Sequence, residues 1–275
     1  MWLAIACAVA LGAAAADIFF SQQRLAALTP IAKALVVRVA SLPVIACALA
    51  VAGLPQITPN FWLYVTVNAV MDTVASFFLM RALTVSPVSQ TQPLLAATPV
   101  FMIATTPLLT SDAVTAVGLV GVGAVSLGVY ATQHPGRDSA TGKLAGFWSP
   151  FAAVARDQGA RSMLAAAAIF AVTRNVDRLC IAASSGPFYL FVEHSMIGAI
   201  LGVAMIIQNK AIPMPGRFGP PSVPQPTPAI LLLGGSICAV GFLLHVWALE
   251  WTSVPYLIAV KRLSIIATSL WGYFV

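Results

Sequence analysis

Nine long apolar runs, continuous rather than alternating, divide this chain, and they restrict its fold more than any motif does. They fall at roughly 1–20, 31–52, 60–83, 88–109, 113–131, 162–183, 187–207, 228–250 and 255–275. A helix needs about 20 mostly apolar residues to cross a bilayer. Helix is the expected spanning form, because lipid offers backbone amides and carbonyls no external partner. The strands of a membrane barrel would read as short alternating segments instead. Composition agrees: 60% of the residues are hydrophobic and 8% are charged, against about 25% charged in soluble domains. The breaks carry turn chemistry, for example "GLPQITPN" (53–60), "TVSPVS" (84–89) and "TSVP" (252–255). The first run lacks the basic leader of a signal peptide and reads as a helix. The expected class is therefore an all-α polytopic protein of a cell membrane, multi-pass, with lipid as its main solvent.

Two polar stretches, 133–143 and 211–228, read as loops, the second rich in proline. Between the first loop and the sixth run, "GFWSPFAAVARDQGARS" (146–162) fits either a short interfacial helix or an ordinary connector. Cys7, Cys47, Cys180 and Cys238 each stand alone in an apolar run, with no spacing for zinc or a disulfide framework. No metal and no cofactor is implied. The net charge of +6 is scattered over loops and helix ends, without the clustered patch that nucleic-acid binding needs. Gly118, Gly121, Gly123 and Gly128 are read as serving close helix packing.

Ionisable groups inside apolar runs are costly and mark function by default. Lys261 and Arg262 lie six and seven residues past Pro255, roughly 10 Å along a helix. They offer one compact and one forked donor to an anion; snorkelling to the interface is the alternative. Arg174, Asp177 and Arg178 share a helical face, as a structural ion pair or a functional group. Asn68 and Asp72 share another. Asp72 has no cation within a turn, so it must find one on another helix, take a proton or meet water; Asp17 and Arg38 are candidate partners across the first two helices. Glu193 and Asp72 are the proton-coupling candidates, beside His194; His245, Gln90, Gln92 and Asn68 are candidate solute contacts. Pro93 and Pro99 predict a kinked fourth helix with its amides turned inward.

Halving the chain gives two similar plans, with Asp17 opposite Asp177 and "MRALTVSPVSQTQPLLAATPVFM" (80–102) opposite "VWALEWTSVPYLIAVKRLSIIAT" (246–268). A five-helix unit has an odd number of spans, so a second copy must enter the membrane inverted, which places a solute site at the repeat interface. On these segments, with "AVTRNVDRLCIAASSGPFY" and "VKRLSI", the chain resembles the drug/metabolite transporter superfamily, specifically its EamA-type ten-helix members. The resemblance implies two inverted repeats of five transmembrane helices: 1–131, then a connecting loop at 132–161, then 162–275. It also implies that the Lys-Arg pair of the ninth helix contacts a substrate anion, as in the phosphate-sugar branch. Two features depart from it: Asp112 stands where glutamate is usual, and the chain stops at Val275 with nine spans, so a truncated second repeat of four helices is expected.

The function implied is secondary transport of small polar or anionic metabolites by alternating access. The expected partners are a small solute and the bilayer, with a homodimer left open. The rivals are a membrane-embedded enzyme, for which no H-E-x-x-H or G-x-S-x-G motif exists, and a non-transporting helical scaffold. Orientation is divided. The basic loop residues, among them Arg24, Arg81, Arg137 and Lys210, fall in odd-numbered loops, which puts the N-terminus outside, whereas the resemblance implies a cytoplasmic N-terminus.

Overall fold

The computed structural model describes residues 2–21, 29–86, 91–110, 119–124, 128, 157–207, 227–262 and 264. Among these, all regular structure is helical. We number the helices α1 (Trp2–Ser21), α2 (Pro30–Ala52), α3 (Phe61–Val85), α4 (Thr98–Leu109), α5 (Gln158–Ala182), α6 (Gly186–Ile207), α7 (Pro228–Leu249) and α8 (Val254–Lys261). Residues 119–124 are also helical, but most of the fifth apolar run lies outside the described residues, as do the 133–143 loop and most of the ninth run beyond Lys261.

Local chemistry sets the helix ends. Thr29 and Thr227 each accept a bond from the third residue on, and each is followed by a proline suited to the first helical turn. Gly53 closes α2 at φ +78°, a conformation that side-chain-bearing residues rarely adopt, and its N–H bonds the Leu49 carbonyl. The fourth run is bent as its prolines require. Residues Gln92–Ala97 form a 3-10 turn and α4 begins only at Thr98, with the Thr98 hydroxyl donating back to the Leu95 carbonyl at 2.6 Å.

Among the described residues, four helices are long and apolar enough to cross a membrane: Ile31–Ala52, Phe61–Leu79, Gly186–Ile207 and Pro228–Leu249. Leu3–Ala16 and Leu94–Leu109 are shorter apolar helices. Large apolar side chains cover the outside, including Leu11, Trp62, Leu63, Phe77, Ile207 and Leu233. Apolar surface on this scale has no place in water, so the fold is that of a membrane protein. The sixth run differs from the expectation. As α5 it begins at Gln158, four residues before the predicted start, and its charges keep it out of the apolar spanning class. It is instead enclosed, running along α3 on one side and α4 on another. Small buried residues, Gly159, Ala160, Ala166, Ala167 and Ala171, permit that close approach.

Asp157 caps α5. It accepts from the Ala160 N–H at 2.6 Å and from the Ser86 hydroxyl at 2.7 Å, tying the end of α3 to the start of α5. The Ser86 hydroxyl, and then the Ala160 amide, hold its carboxyl below the usual carboxylate range. The stabilisation is therefore present above the unfolded-state pKa of about 3.9 and is lost as pH falls through the lower folded value.

Beyond α3–α5, α2 lies against both α6 and α7, α1 against α7, α3 against α6, and α8 against α1 and α4. The glycines that allow close crossing are Gly12 against Gly241, and Gly235, where a Cβ would run into the Ala40 backbone. The glycines read from the sequence as packing residues do not behave that way. A Cβ at Gly121, Gly123 or Gly128 would meet none of the described residues within 4 Å, and Gly118 lies outside them.

Candidate functional site

Five helices bring ionisable side chains to one place in the interior. α2 contributes Arg38, eight residues in, and α3 contributes Asn68 and Asp72 one turn apart. α5 brings Thr173, Arg174 and Asp177; α6 brings Tyr189, Glu193 and His194; α7 brings His245. Arg38 and Asp72 lie roughly 12 and 16 Å from the starts of their helices at 1.5 Å per residue, far from either end. The helices are apolar on nearly every face, and these residues are the exceptions that turn inward.

Asp72 is clamped from both sides. The Arg38 guanidinium bonds Oδ2, the Arg174 guanidinium bonds Oδ1, and the Thr173 hydroxyl lies 3.4 Å from Oδ1. Arg174 also donates to Asp177 Oδ2 at 2.7 Å. Asp177 Oδ1 receives the Tyr189 hydroxyl and the Asn68 amide, the latter at 2.8 Å. Glu193 is held more loosely. Asn68 Nδ2 lies 3.3 Å from Oε1, while Arg38 Nη1 and His194 Nδ1 stand 4.0 Å and 3.5 Å from Oε2. Asn68, Asp72, Thr173, Asp177, Glu193 and His194 are all at most 2% exposed. The arginines keep 13% and 18% of their side chains exposed, over the rings of Phe242 and Phe170 respectively.

Several polar atoms here lack a hydrogen bond: Asn68 Oδ1 and both ring nitrogens of His245. His245 Nε2 stands 3.9 Å from Asp177 Oδ2, and Lys261, Arg262 and Arg174 are within its electrostatic reach. A buried polar atom without a partner is expensive, so a network that leaves three such atoms is poorly explained as a static brace. Among the described residues no His, Cys, Asp and Glu side chains are grouped to hold a metal ion.

The remaining sequence candidates separate from this cluster. Arg262 Nη2 donates to the Thr98 hydroxyl at 3.0 Å, joining α8 to α4. Lys261, the last residue of α8, is half-buried. Arg178 Nη1 reaches the Thr252 carbonyl at 3.2 Å, in the link between α7 and α8. Gln90, and the side chains of Gln92 and Asp17, lie outside the described residues. Sequence reasoning missed Thr98, Thr173 and Tyr189. Tyr189 stands one turn before Glu193 in an apolar helix, a spacing that would have flagged it. A separate cavity of about 390 Å³ on the outside, lined by Ala48, Pro187, Val240, Leu244 and Trp247 with Glu250, includes none of the clustered residues.

No family model matches the chain, and no curated protein matches it. A solved structure described only as "Crystal structure of protein" shares the fold, with a TM-score of 0.64 at 16% identity over 99% of this chain and 90% of that one. A likeness at that identity shows the fold alone. The resemblance to EamA-type transporters therefore stands on the sequence motifs.

Proposed function

We propose that this protein is a secondary carrier of small polar or anionic metabolites, built on an EamA-like plan of inverted repeats. The observation that carries the reading is the meeting of three carboxylates, two guanidiniums and two histidines from five helices inside an apolar bundle, with polar atoms left unsatisfied. A helical scaffold has no use for so costly an interior. Ser41 and Ser195, near the cluster, bond backbone carbonyls of their own helices.

The packing supports the repeat. Pairing α1 with α5, α2 with α6, α3 with α7 and α4 with α8 turns the contacts α3–α5 into α7–α1, α2–α7 into α6–α3, and α4–α5 into α8–α1. α2–α6 and α4–α8 map onto themselves, as pairs on a two-fold axis would. Sites in inverted-repeat carriers lie at that axis, and the cluster and the α4–α8 contact both belong there. In this reading Lys261, Arg262 and Thr98 receive the anionic group, and His245 connects them to the charge cluster.

One observation favours the scaffold instead: Asp72 is fully paired by Arg38 and Arg174, as a structural tie would be. Flux separates the two. Purified protein in proteoliposomes is offered radiolabelled sugar phosphates, carboxylates and sulfonates, one at a time. A carrier gives saturable uptake of at least one class above protein-free vesicles and exchange against the same solute inside. A scaffold leaves every class at the protein-free rate.

A further inference from the structure

The charge cluster contains one negative charge more than its guanidiniums neutralise: Asp72, Asp177 and Glu193 against Arg38 and Arg174. The three carboxylates are not served equally. Asp72 has a guanidinium on each oxygen. Asp177 has Arg174 on one oxygen, with the Tyr189 hydroxyl and the Asn68 amide on the other. The Asn68 NH2 has two hydrogens but three acceptors within reach, Asp177 Oδ1 and the Tyr189 oxygen at 2.8 Å and Glu193 Oε1 at 3.3 Å. The two nearer acceptors use both hydrogens. Glu193 has no guanidinium bonded to it, its nearest cation lying 4.0 Å away, and it shares the single Tyr189 hydroxyl hydrogen with Asp177.

The surroundings of Glu193 carry the same sign. Arg38 Nη1 lies 3.4 Å from His194 Nε2; a guanidinium can only donate, so Nε2 is the acceptor and the ring hydrogen of neutral His194 sits on Nδ1. That N–H lies 3.5 Å from Glu193 Oε2 and has the Leu190 carbonyl, one turn earlier in α6, as its hydrogen-bond partner. Asn68 Oδ1, fully buried, is an acceptor with no donor. From the neighbouring elements, the charged or titratable groups facing this point are Arg38 (α2), Asp72 (α3), Arg174 and Asp177 (α5), Tyr189 and His194 (α6). His245 (α7) faces Asp177 instead.

We infer that Glu193 binds one exchangeable proton, and that this proton is the ion to which solute movement is coupled. The proton site follows from the geometry; the coupling rests on the carrier reading above. A proton taken from water turns the Glu193 carboxylate into the acid, cancels the surplus charge and adds an O–H donor beside an orphaned acceptor. Arg38 then stays on Asp72, locking α2 to α3. Release of the proton to water restores a carboxylate that competes for Arg38 across a gap of 4.0 Å, drawing α2 toward α6. The partly exposed edges of Arg38 and Arg174, 13% and 18% open, are where the cluster reaches the surface.

The test is infrared difference spectroscopy of the full-length protein in lipid nanodiscs during a pH titration, with flux measured in parallel. Wild type should show one protonated-carboxyl C=O band that vanishes on alkalinisation. Glu193→Gln should abolish it, and Glu193→Asp should keep it with an altered frequency and midpoint. No such band in wild type, its persistence in Glu193→Gln, or an unaltered band in Glu193→Asp would overturn the proton site. In proteoliposomes a pH gradient should accelerate wild-type flux several-fold and leave Glu193→Gln flux unchanged. Wild-type flux indifferent to the gradient overturns the coupling alone. A correct band with no wild-type flux of any solute overturns the carrier reading and the coupling with it, but not the proton site.

Discussion

Arg174→Gln is expected to cost about 3–5 kcal/mol of stability near neutral pH, the usual result of removing one partner from a buried charge network. Arg174 is the only residue bonded to both Asp72 and Asp177 among the described contacts. Its removal leaves Arg38 facing three carboxylates, all at most 2% exposed. Uncompensated anions at that depth must take protons, meet water or separate. The loss should therefore shrink as pH falls and protons neutralise the stranded carboxylates, because the variant's folded state then binds more protons than the wild type's. Reversible unfolding in mixed micelles across a range of pH reads both effects. A variant within about 0.5 kcal/mol of wild type at neutral pH, as for an ordinary surface change, would mean the cluster is wet and its pairing dispensable.

Lys261→Ala is expected to reduce anion flux at least tenfold, with membrane insertion and thermal unfolding close to wild type. Lys261 ends α8 half-buried, within electrostatic reach of His245, and one residue before the Arg262–Thr98 contact. Consecutive helical residues diverge by about 100°, so the two cations approach a bound anion from different directions. A compact ammonium and a planar fork differ in what they can hold, and both strengthen as water is excluded. Arg262→Lys should accordingly weaken flux less than Lys261→Ala, since the charge stays and the fork, with its bond to Thr98, is lost. Normal flux in both variants, measured in the same vesicles, would make the pair a membrane anchor.

The helices themselves were readable because apolar runs and turn chemistry mark their ends: "GLPQITPN" falls between α2 and α3, "TSVP" between α7 and α8, and the fourth run, which carries Pro93 and Pro99, is interrupted by a 3-10 stretch. Pairs within one helix were readable too. Asn68 with Asp72, and Arg174 with Asp177, do share a face. Contacts between helices were not. In water an amphipathic stripe tells which face turns inward; in lipid the outer face is as apolar as the inner, and that signal disappears. Nothing in the residues themselves specifies that Arg38 reaches Asp72, or that Arg262 reaches Thr98 across 164 positions. The sixth run is helical where it was read, and because α5 is packed along α3 and α4 its inner charges, Arg174 and Asp177, face protein. The glycines at 121, 123 and 128 misled because small residues permit close packing without requiring it.

Alternating exposure of the cluster is the property on which the carrier reading stands, and Thr173 is placed to report it. Its side chain is fully buried beside Asp72 and changes least in size when replaced by cysteine. With Cys7, Cys47, Cys180 and Cys238 replaced by serine or alanine, Thr173→Cys is the only thiol in the chain. A small, charged, membrane-impermeant methanethiosulfonate is then added to one side of sealed vesicles or to the other. Modification should occur from both sides, with a pH gradient or a transported solute changing the two rates in opposite directions. A thiol that stays unmodified from both sides, while unfolding in detergent releases it at once, would contradict alternating exposure and leave a sealed structural core.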